Sequence, residues 1–429
     1  MATPVPTTDA ERTLADLFEA RAPHFTDGPL DAGRTEAFRR FAAAGLPHRR
    51  VEAYRYTDLK ARLRSLPAPA APMDPDAVAK ALADLPPLVP GATRVVLANG
   101  RLVTQPFHAE GVSITSMLAA DAAADSVGHL VAGSSDPLTL ANVGLFDGGA
   151  IITLAGEIAA PIEIVHLSPG DALTMGRVAI FLANGSDATV IERFVLGAGS
   201  VSNTLAEIIV EDGAKLSLTR IADGAGETGT NLSTHHIRIG ERAHLDHLTV
   251  STGTGLMRAQ AFCHVAGDDA DANFRAATVA IGKRHADNTL EVRHDALDSR
   301  SSEVFRSAVG ENGVAIVQGR IIVDPGAQKT DAKMMSNALF LDDTGEVVNK
   351  PELEIFADDV QCGHGATSGD LDEDPIFYLR ARGIPEAEAR RLLVEAFLLE
   401  ALENLPDGPL ADAMAAQLRT AIGVPPEAD

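Results

Sequence analysis

Apolar residues along this chain change their period twice, and the changes divide it into three regions. In the first they recur every three to four residues, the spacing that lines one face of a helix. Thr8 and Glu11 have the spacing of a capping box, followed by Leu14, Leu17 and Phe18 on one face. A second predicted helix carries Phe38 and Phe41 and stops at Gly45. Asp74-Pro75 offers an N-cap and a first-turn proline for a third, with Val78, Leu82 and Leu85 at helical spacing. Pro67, Pro69, Pro72, Pro86, Pro87 and Pro90 punctuate the connections. From Arg94 the texture turns to strand, with Val95-Val96-Leu97 ahead of the turn signal Asn99-Gly100.

From about Leu145 to Val360 the chain is a succession of short β-rich runs separated by Gly, Asp and Asn. A phrase recurs there: Gly185-Ser186-Asp187-Ala188, Asp212-Gly213-Ala214, Gly240-Glu241-Arg242-Ala243 and Gly267-Asp268-Asp269-Ala270, with alanines 26, 29 and 27 residues apart. The period predicts one coil of a parallel β-helix per repeat, because no single coil buries its apolar face alone and stacked coils share an inner column. Offset phrases at Asn203-Thr204-Leu205, Asn231-Leu232-Ser233 and Asn288-Thr289-Leu290 then mark another side of each coil. An antiparallel sandwich ranks second, since it does not require this repeat.

Helical spacing returns after Asp374-Pro375, read as an N-cap and an N1 proline, with Gly383 ending a first short helix. Pro385 opens a longer one bearing Leu392, Leu393, Ala396, Phe397, Leu399 and Leu402, closed near Pro406-Asp407-Gly408. Leu410, Met414, Leu418 and Ile422 follow at i+4. These stripes are read as packing against the β region. The expected organisation is a helical and small α/β region over 1–144, a β-helix over 145–373 and a helical domain over 374–429.

Composition narrows the function. A net charge of -24, from 60 acidic against 36 basic residues, repels nucleic acid and anionic membrane surfaces. The start of the chain lacks a basic n-region and an apolar h-region, and no stretch reaches the uncharged apolar length of a membrane span, which points to a cytosolic protein. Two cysteines form no disulfide framework and in a reducing compartment stay thiols. There is no Gly-x-x-x-x-Gly-Lys-Ser/Thr loop, no Gly-x-Ser-x-Gly elbow and no His-Glu-x-x-His. Any ATP hydrolysis must belong to another subunit.

The most informative stretch is Asn349-Lys350-Pro351-Glu352-Leu353-Glu354-Ile355-Phe356-Ala357-Asp358-Asp359-Val360-Gln361-Cys362-Gly363-His364-Gly365-Ala366-Thr367. In an extended backbone Cys362 and His364 share a face and present sulfur and nitrogen together, donors that suit iron or zinc. They do not complete a four-donor site, so either the pair is structural or another molecule supplies the rest. Glu354, Asp358 and Asp359 are available oxygens, read first as solvated turn carboxylates. His244 and His247, His235 and His236, and Cys263 and His264 point apart in strands; the histidines are read as surface or turn residues and Cys263 as a small buried hydrophobe.

This same run resembles the SufB/SufD family of iron-sulfur cluster assembly proteins, in particular its SufD branch. The resemblance continues through the acidic spacer Ser368-Gly369-Asp370-Leu371-Asp372-Glu373-Asp374 to Phe377-Tyr378-Leu379-Arg380-Ala381-Arg382-Gly383. It includes Tyr54-Arg55-Tyr56-Thr57-Asp58-Leu59, and Asp147-Gly148 with Pro161-Ile162-Glu163-Ile164. Tyr54 stands where the family usually has tryptophan, and Gly363 where it usually has serine. The resemblance implies a right-handed parallel β-helix flanked by helical domains, a non-enzymatic scaffold that pairs with a SufB-like paralogue and docks a SufC-like ATPase on residues 375 to 429. It also implies a nascent iron-sulfur cluster, transient, at the subunit boundary near Cys362 and His364. A reduced flavin accompanies some family complexes, but no flavin fingerprint is present here. Two competing readings are a β-helix polysaccharide lyase or hydrolase, disfavoured by the absence of Trp and by tyrosines lying only outside the β region, and a homodimeric structural protein.

Overall fold

A computed structural model describes residues 8–25, 29–119, 127–223 and 226–423. The periodic middle of the sequence forms most of two ten-stranded sheets, to which Thr93–Ala98, Arg101–Leu102, Phe107–Ala109 and Val112–Ser116 add the remaining four strands. From Gly148–Leu154 onward each strand joins the sheet opposite to its predecessor, and neighbours from that strand on are parallel. The result is a β-solenoid with two strands per coil. Register partners Asp187, Lys215, His244, Asp271, Arg300, Asp331 and Gln361 lie in one column and advance by 27 to 31 residues per coil.

This column corrects the phase of the repeat. Ser186, not Ala188, occupies the place of Ala214, because Lys215 pairs with Asp187. The small polar side chain serves there because its hydroxyl accepts a hydrogen bond from Gly156 N at 2.8 Å. The asparagine phrases do lie on the second sheet, but not in one column: Asn231 aligns with Ser202, and Asn288 with Ala259.

Three apolar interfaces hold the fold. Val190, Leu218, Ile208, Ile237, Val292 and their neighbours fill the space between the sheets. Leu14, Phe38, Phe41, Leu138 and Leu145 from the N-terminal helices Asp9–Arg21, Pro29–Ala44 and Pro137–Leu145 pack on Leu173, Leu205, Leu232 and Leu256, on the outside of one sheet. Val394, Leu398, Leu402, Met414 and Leu418 from Glu386–Leu399, the turn after it and Pro409–Ala421 cover Ile191, Ile221, Val250 and Val279 on the other. Strands covered on both faces read as nearly continuous apolar runs, as in Leu173–Leu182. Asp331–Phe340, near the end, alternates buried with exposed positions because helices no longer cover its outer face.

The capping box of Thr8 and Glu11 is formed, and Asp74 caps the helix that Pro75 begins. Gly45 ends the second helix at φ +71, where a Cβ would lie 2.5 Å from Glu11 Oε1. At the C-terminal junction Asp372, not Asp374, is the N-cap of Glu373–Ala381. Pro375 therefore sits third in the helix, which is tolerated because first-turn N–H groups have no intrahelical acceptor.

Candidate metal centre

Gln361–Gly369 is the last strand of its sheet and pairs only with Asp331–Phe340. Cys362 lies opposite Ala332 and His364 opposite Met334, two buried residues, so both side chains belong to the inner face of the final coil. Cys362 is half-buried against the inner core, while His364 is exposed. Burial pushes the Cys362 thiol up; a hydrogen bond involving the Ala332 backbone counters this in part, and the Asp331 and Glu303 carboxyls add to the rise. At neutral pH the group is therefore a thiol.

Glycine decides the character of the strand's outer face. A Cβ at Gly363 would meet nothing within 4 Å, and at Gly365 only the Met335 side chain, about 3 Å away. The outer face is thus flat and open to another backbone.

The nearby carboxylates do not join the pair. Glu354 is tied to Arg320 at 3.2 Å, and Asp358 and Asp359 are exposed on the turn before the strand. Cys263 is buried in the inner core, and burial pushes its thiol far up. Among the described residues no three or more His, Cys, Asp and Glu side chains are placed to hold a metal ion.

Three of the histidines depart from expectation. His235, His236 and His247 are buried rather than at the surface or in turns, because both faces of their strands are covered. His235 and His236 do point apart. His235 Nε2 donates to Glu192 at 2.7 Å and its Nδ1 meets His247 Nε2 at 3.0 Å, whereas His236 faces Thr139 at 3.0 Å and stacks on Phe262. His166 joins the inner chain by donating to Glu192 at 2.8 Å. Burial alone would raise Glu192, but the His235 and His166 imidazoles hold it well below the usual carboxylate range. Burial and the nearby Arg220 charge push His235 and His247 down. His244 is only half-buried, between Asp246 and Asp271.

The Tyr54-to-Leu59 run proves to be a latch of the N-terminal region onto the solenoid. Tyr54 is buried beneath Arg258, whose guanidinium lies 4.1 Å from the ring centre, and its hydroxyl donates to Asp136 at 2.5 Å. Thr57 donates to Asp287 and accepts from His285 Nε2, while Arg62 donates to His285 Nδ1 at 2.8 Å. Tyrosine at position 54 supplies both a ring for the cation and a polar tip for the carboxylate.

Sequence reasoning missed Glu303, a fully buried carboxyl under the same end of the solenoid. Its signal was the repeat itself: counted in phase, Ser301, Glu303 and Phe305 fall on the inner face of their strand.

Residues 165–397 match the SUF system FeS cluster assembly, SufBD core domain, and residues 8–66 match the SufBD protein N-terminal region. An iron-sulfur cluster assembly SufBD family protein of Mycobacterium tuberculosis is 30% identical over 271 residues, covering 61% of this chain and 68% of the relative. The iron-sulfur cluster assembly protein SufD of Escherichia coli is 29% identical over 266 residues, 61% of this chain and 63% of its own. A Synechocystis family protein aligns further, 26% identical over 389 residues and 84% of each chain. With a two-sheet solenoid under the core match and helices under the N-terminal one, the chain belongs to the SufB/SufD family of iron-sulfur cluster assembly proteins and is SufD-like.

Proposed function

We propose that this chain is a non-catalytic scaffold subunit that pairs with a SufB-like paralogue through Gln361–Gly369 and completes, at that boundary, the donor set begun by His364 and Cys362. The observation that carries this reading is a half-set of ligands on a terminal strand whose free edge is unprotected. The terminal strand of the other sheet, Glu346–Ile355, is blunted by Pro351 and by Lys350, Glu352 and Glu354, devices that discourage edge pairing. Gln361–Gly369 has none of these. The cluster is cargo, and the chain's part is to hold one side of it with a neutral imidazole and a thiol that deprotonates on binding.

A SufC-like ATPase docks, on this reading, on the C-terminal helices, where Phe377, Tyr378 and Leu392 are 73%, 57% and 40% exposed. No described helix is long and apolar enough to cross a membrane, in keeping with work in the cytosol. Anaerobic co-purification with subunit identification and iron and sulfide analysis tests the proposal. A bound ATPase and labile iron and sulfide are expected, and His364→Ala should abolish cluster formation by the complex. Recovery of a bare homodimer from cells, or full cluster yield with His364→Ala, would refute it.

A further inference from the structure

The terminal strand is the last step of a longer inward-facing column. Register places Phe274, Glu303, Met334 and His364 on four consecutive strands, separated by the roughly 4.8 Å step between paired strands. Glu303 is fully buried, and neither carboxyl oxygen makes a well-formed hydrogen bond. Burial pushes it up to about 8, against a weaker pull from the Ser301 hydroxyl and its own backbone. A buried carboxyl this poorly hydrogen-bonded is uncommon and calls for something to offset its desolvation.

Met334 is buried between Glu303 and His364 and reaches across the interior: a Cβ on Gly319 of the opposite sheet would lie 2.3 Å from its Sδ and Cε. Carboxyl, thioether and imidazole thus succeed one another from the interior to the open end, with the Cys362 thiol beside the last.

We propose that Glu303, Met334 and His364 form an inner metal position, one step behind the edge pair, that takes a divalent transition metal such as ferrous iron. This rests on the reading of His364 and Cys362 as edge ligands. The mixed oxygen, sulfur and nitrogen donors suit a borderline cation. As it enters, the Glu303 carboxyl releases its proton to solvent, and the carboxylate and cation offset each other in the dry interior. Met334, unbranched and flexible, can turn its sulfur toward the cation without moving the backbone.

Anaerobic equilibrium dialysis of the full chain against cobalt(II) alone, with visible absorption of the bound ion, tests this. The native chain should bind cobalt with a d–d spectrum that changes in Met334→Leu, and Glu303→Gln should weaken binding at least tenfold while leaving thermal stability equal or higher. Native-like affinity in Glu303→Gln overturns the proposal. So does a native spectrum in Met334→Leu, which decides the matter should Glu303→Gln fold poorly. Because cluster yield with His364→Ala is read separately, failure here leaves the edge reading standing, and failure there leaves the Glu303 result interpretable.

Discussion

Acid should unfold this protein earlier than its many surface carboxylates alone would dictate, through three buried histidines. Burial is the leading cause that pulls His236, His285 and His294 down to about 4 from an ordinary 6.5. Below pH 6.5 the unfolded chain takes up protons at these rings and the folded chain does not, so stability is lost as pH falls, by about 1.4 kcal/mol per pH unit for each fully titrating ring. From pH 6.5 to 5 that is about 1.6 kcal/mol per ring and roughly 5 for the three. Glu303 acts in the opposite sense. Raised to about 8, it holds a proton that the unfolded carboxyl lacks, and it returns about 2 kcal/mol over the same range. His244, raised to about 10 by its hydrogen bonds with Asp246 and Asp271, is charged in both states below 6.5; its stabilisation is lost only as pH rises from there through 10. A net loss of about 3 kcal/mol remains. His285 shows what fails structurally: its Nδ1 must accept from Arg62, which only donates, so protonation breaks the latch. Urea unfolding followed by circular dichroism at half-unit steps between pH 6.5 and 5 measures the slope. His294→Gln, which keeps a polar group facing Ser299 and Ser301, should lose about 1.5 kcal/mol less than the native chain over that range. A midpoint that stays constant or rises on acidification would refute the reasoning.

Other substitutions probe the interfaces and the edge. Leu398→Ala removes a fully buried side chain between the C-terminal helices and the sheet and should cost about 2–5 kcal/mol by denaturant unfolding. Arg177→Met removes the cation bonded at 2.5 Å to the buried Glu207, which keeps the Gly128 and Leu130 N–H groups; a loss of about 3–5 kcal/mol is expected, partly restored by adding Glu207→Gln. Tyr54→Phe keeps the ring over Arg258 but removes the hydrogen bond to Asp136 Oδ1, while Oδ2 keeps its bonds from Thr139 and Gln260, and should lower stability by about 1–3 kcal/mol in the same assay. Gly363→Lys projects into open space, so the isolated chain should change by less than about 1 kcal/mol. Capture of the paralogous subunit in a pull-down should nevertheless fall at least tenfold, and undiminished capture would mean that this strand is not the pairing edge.

The solenoid was legible because its turns repeat: a small residue is needed where each coil bends, and Ala214, Ala243 and Ala270 supply it at one coil per period. The phase was less legible, since Ser186 does the same job with a satisfied hydroxyl and breaks the alanine pattern. Cys362 and His364 stood out because a two-residue spacing reads directly as one face of a strand. What lies behind them did not, because Glu303, Met334 and His364 are neighbours only through register, about thirty residues apart in the chain. The buried histidines were misread for a related reason. Alternation predicts that His235 and His236 point apart, but not that helices from a distant part of the chain bury the outer one.

On the proposed pairing, the exposed final strand also sets how strongly a partner can hold. A nine-residue strand offers a parallel neighbour about eight or nine backbone hydrogen bonds at most, at about 0.5–1.5 kcal/mol net each. Association costs on the order of 4–15 kcal/mol before anything is gained. Edge pairing alone is therefore marginal, and the apolar residues around it, Met335, Ile355 and Phe356 at 42%, 40% and 60% exposed, add only a modest area. A cation shared between His364 and a donor on the partner would supply the balance, because a bond to each side holds the two chains together only while the metal is present. Pairing should then tighten with cargo and loosen when a chelator removes it. A scaffold has to let its product go, and an edge too weak to hold a partner permanently is suited to that task. Sedimentation of the mixed subunits with and without ferrous iron decides it: equal affinity in both would show that the strand and its apolar surround suffice, and that the metal plays no part in holding the chains together.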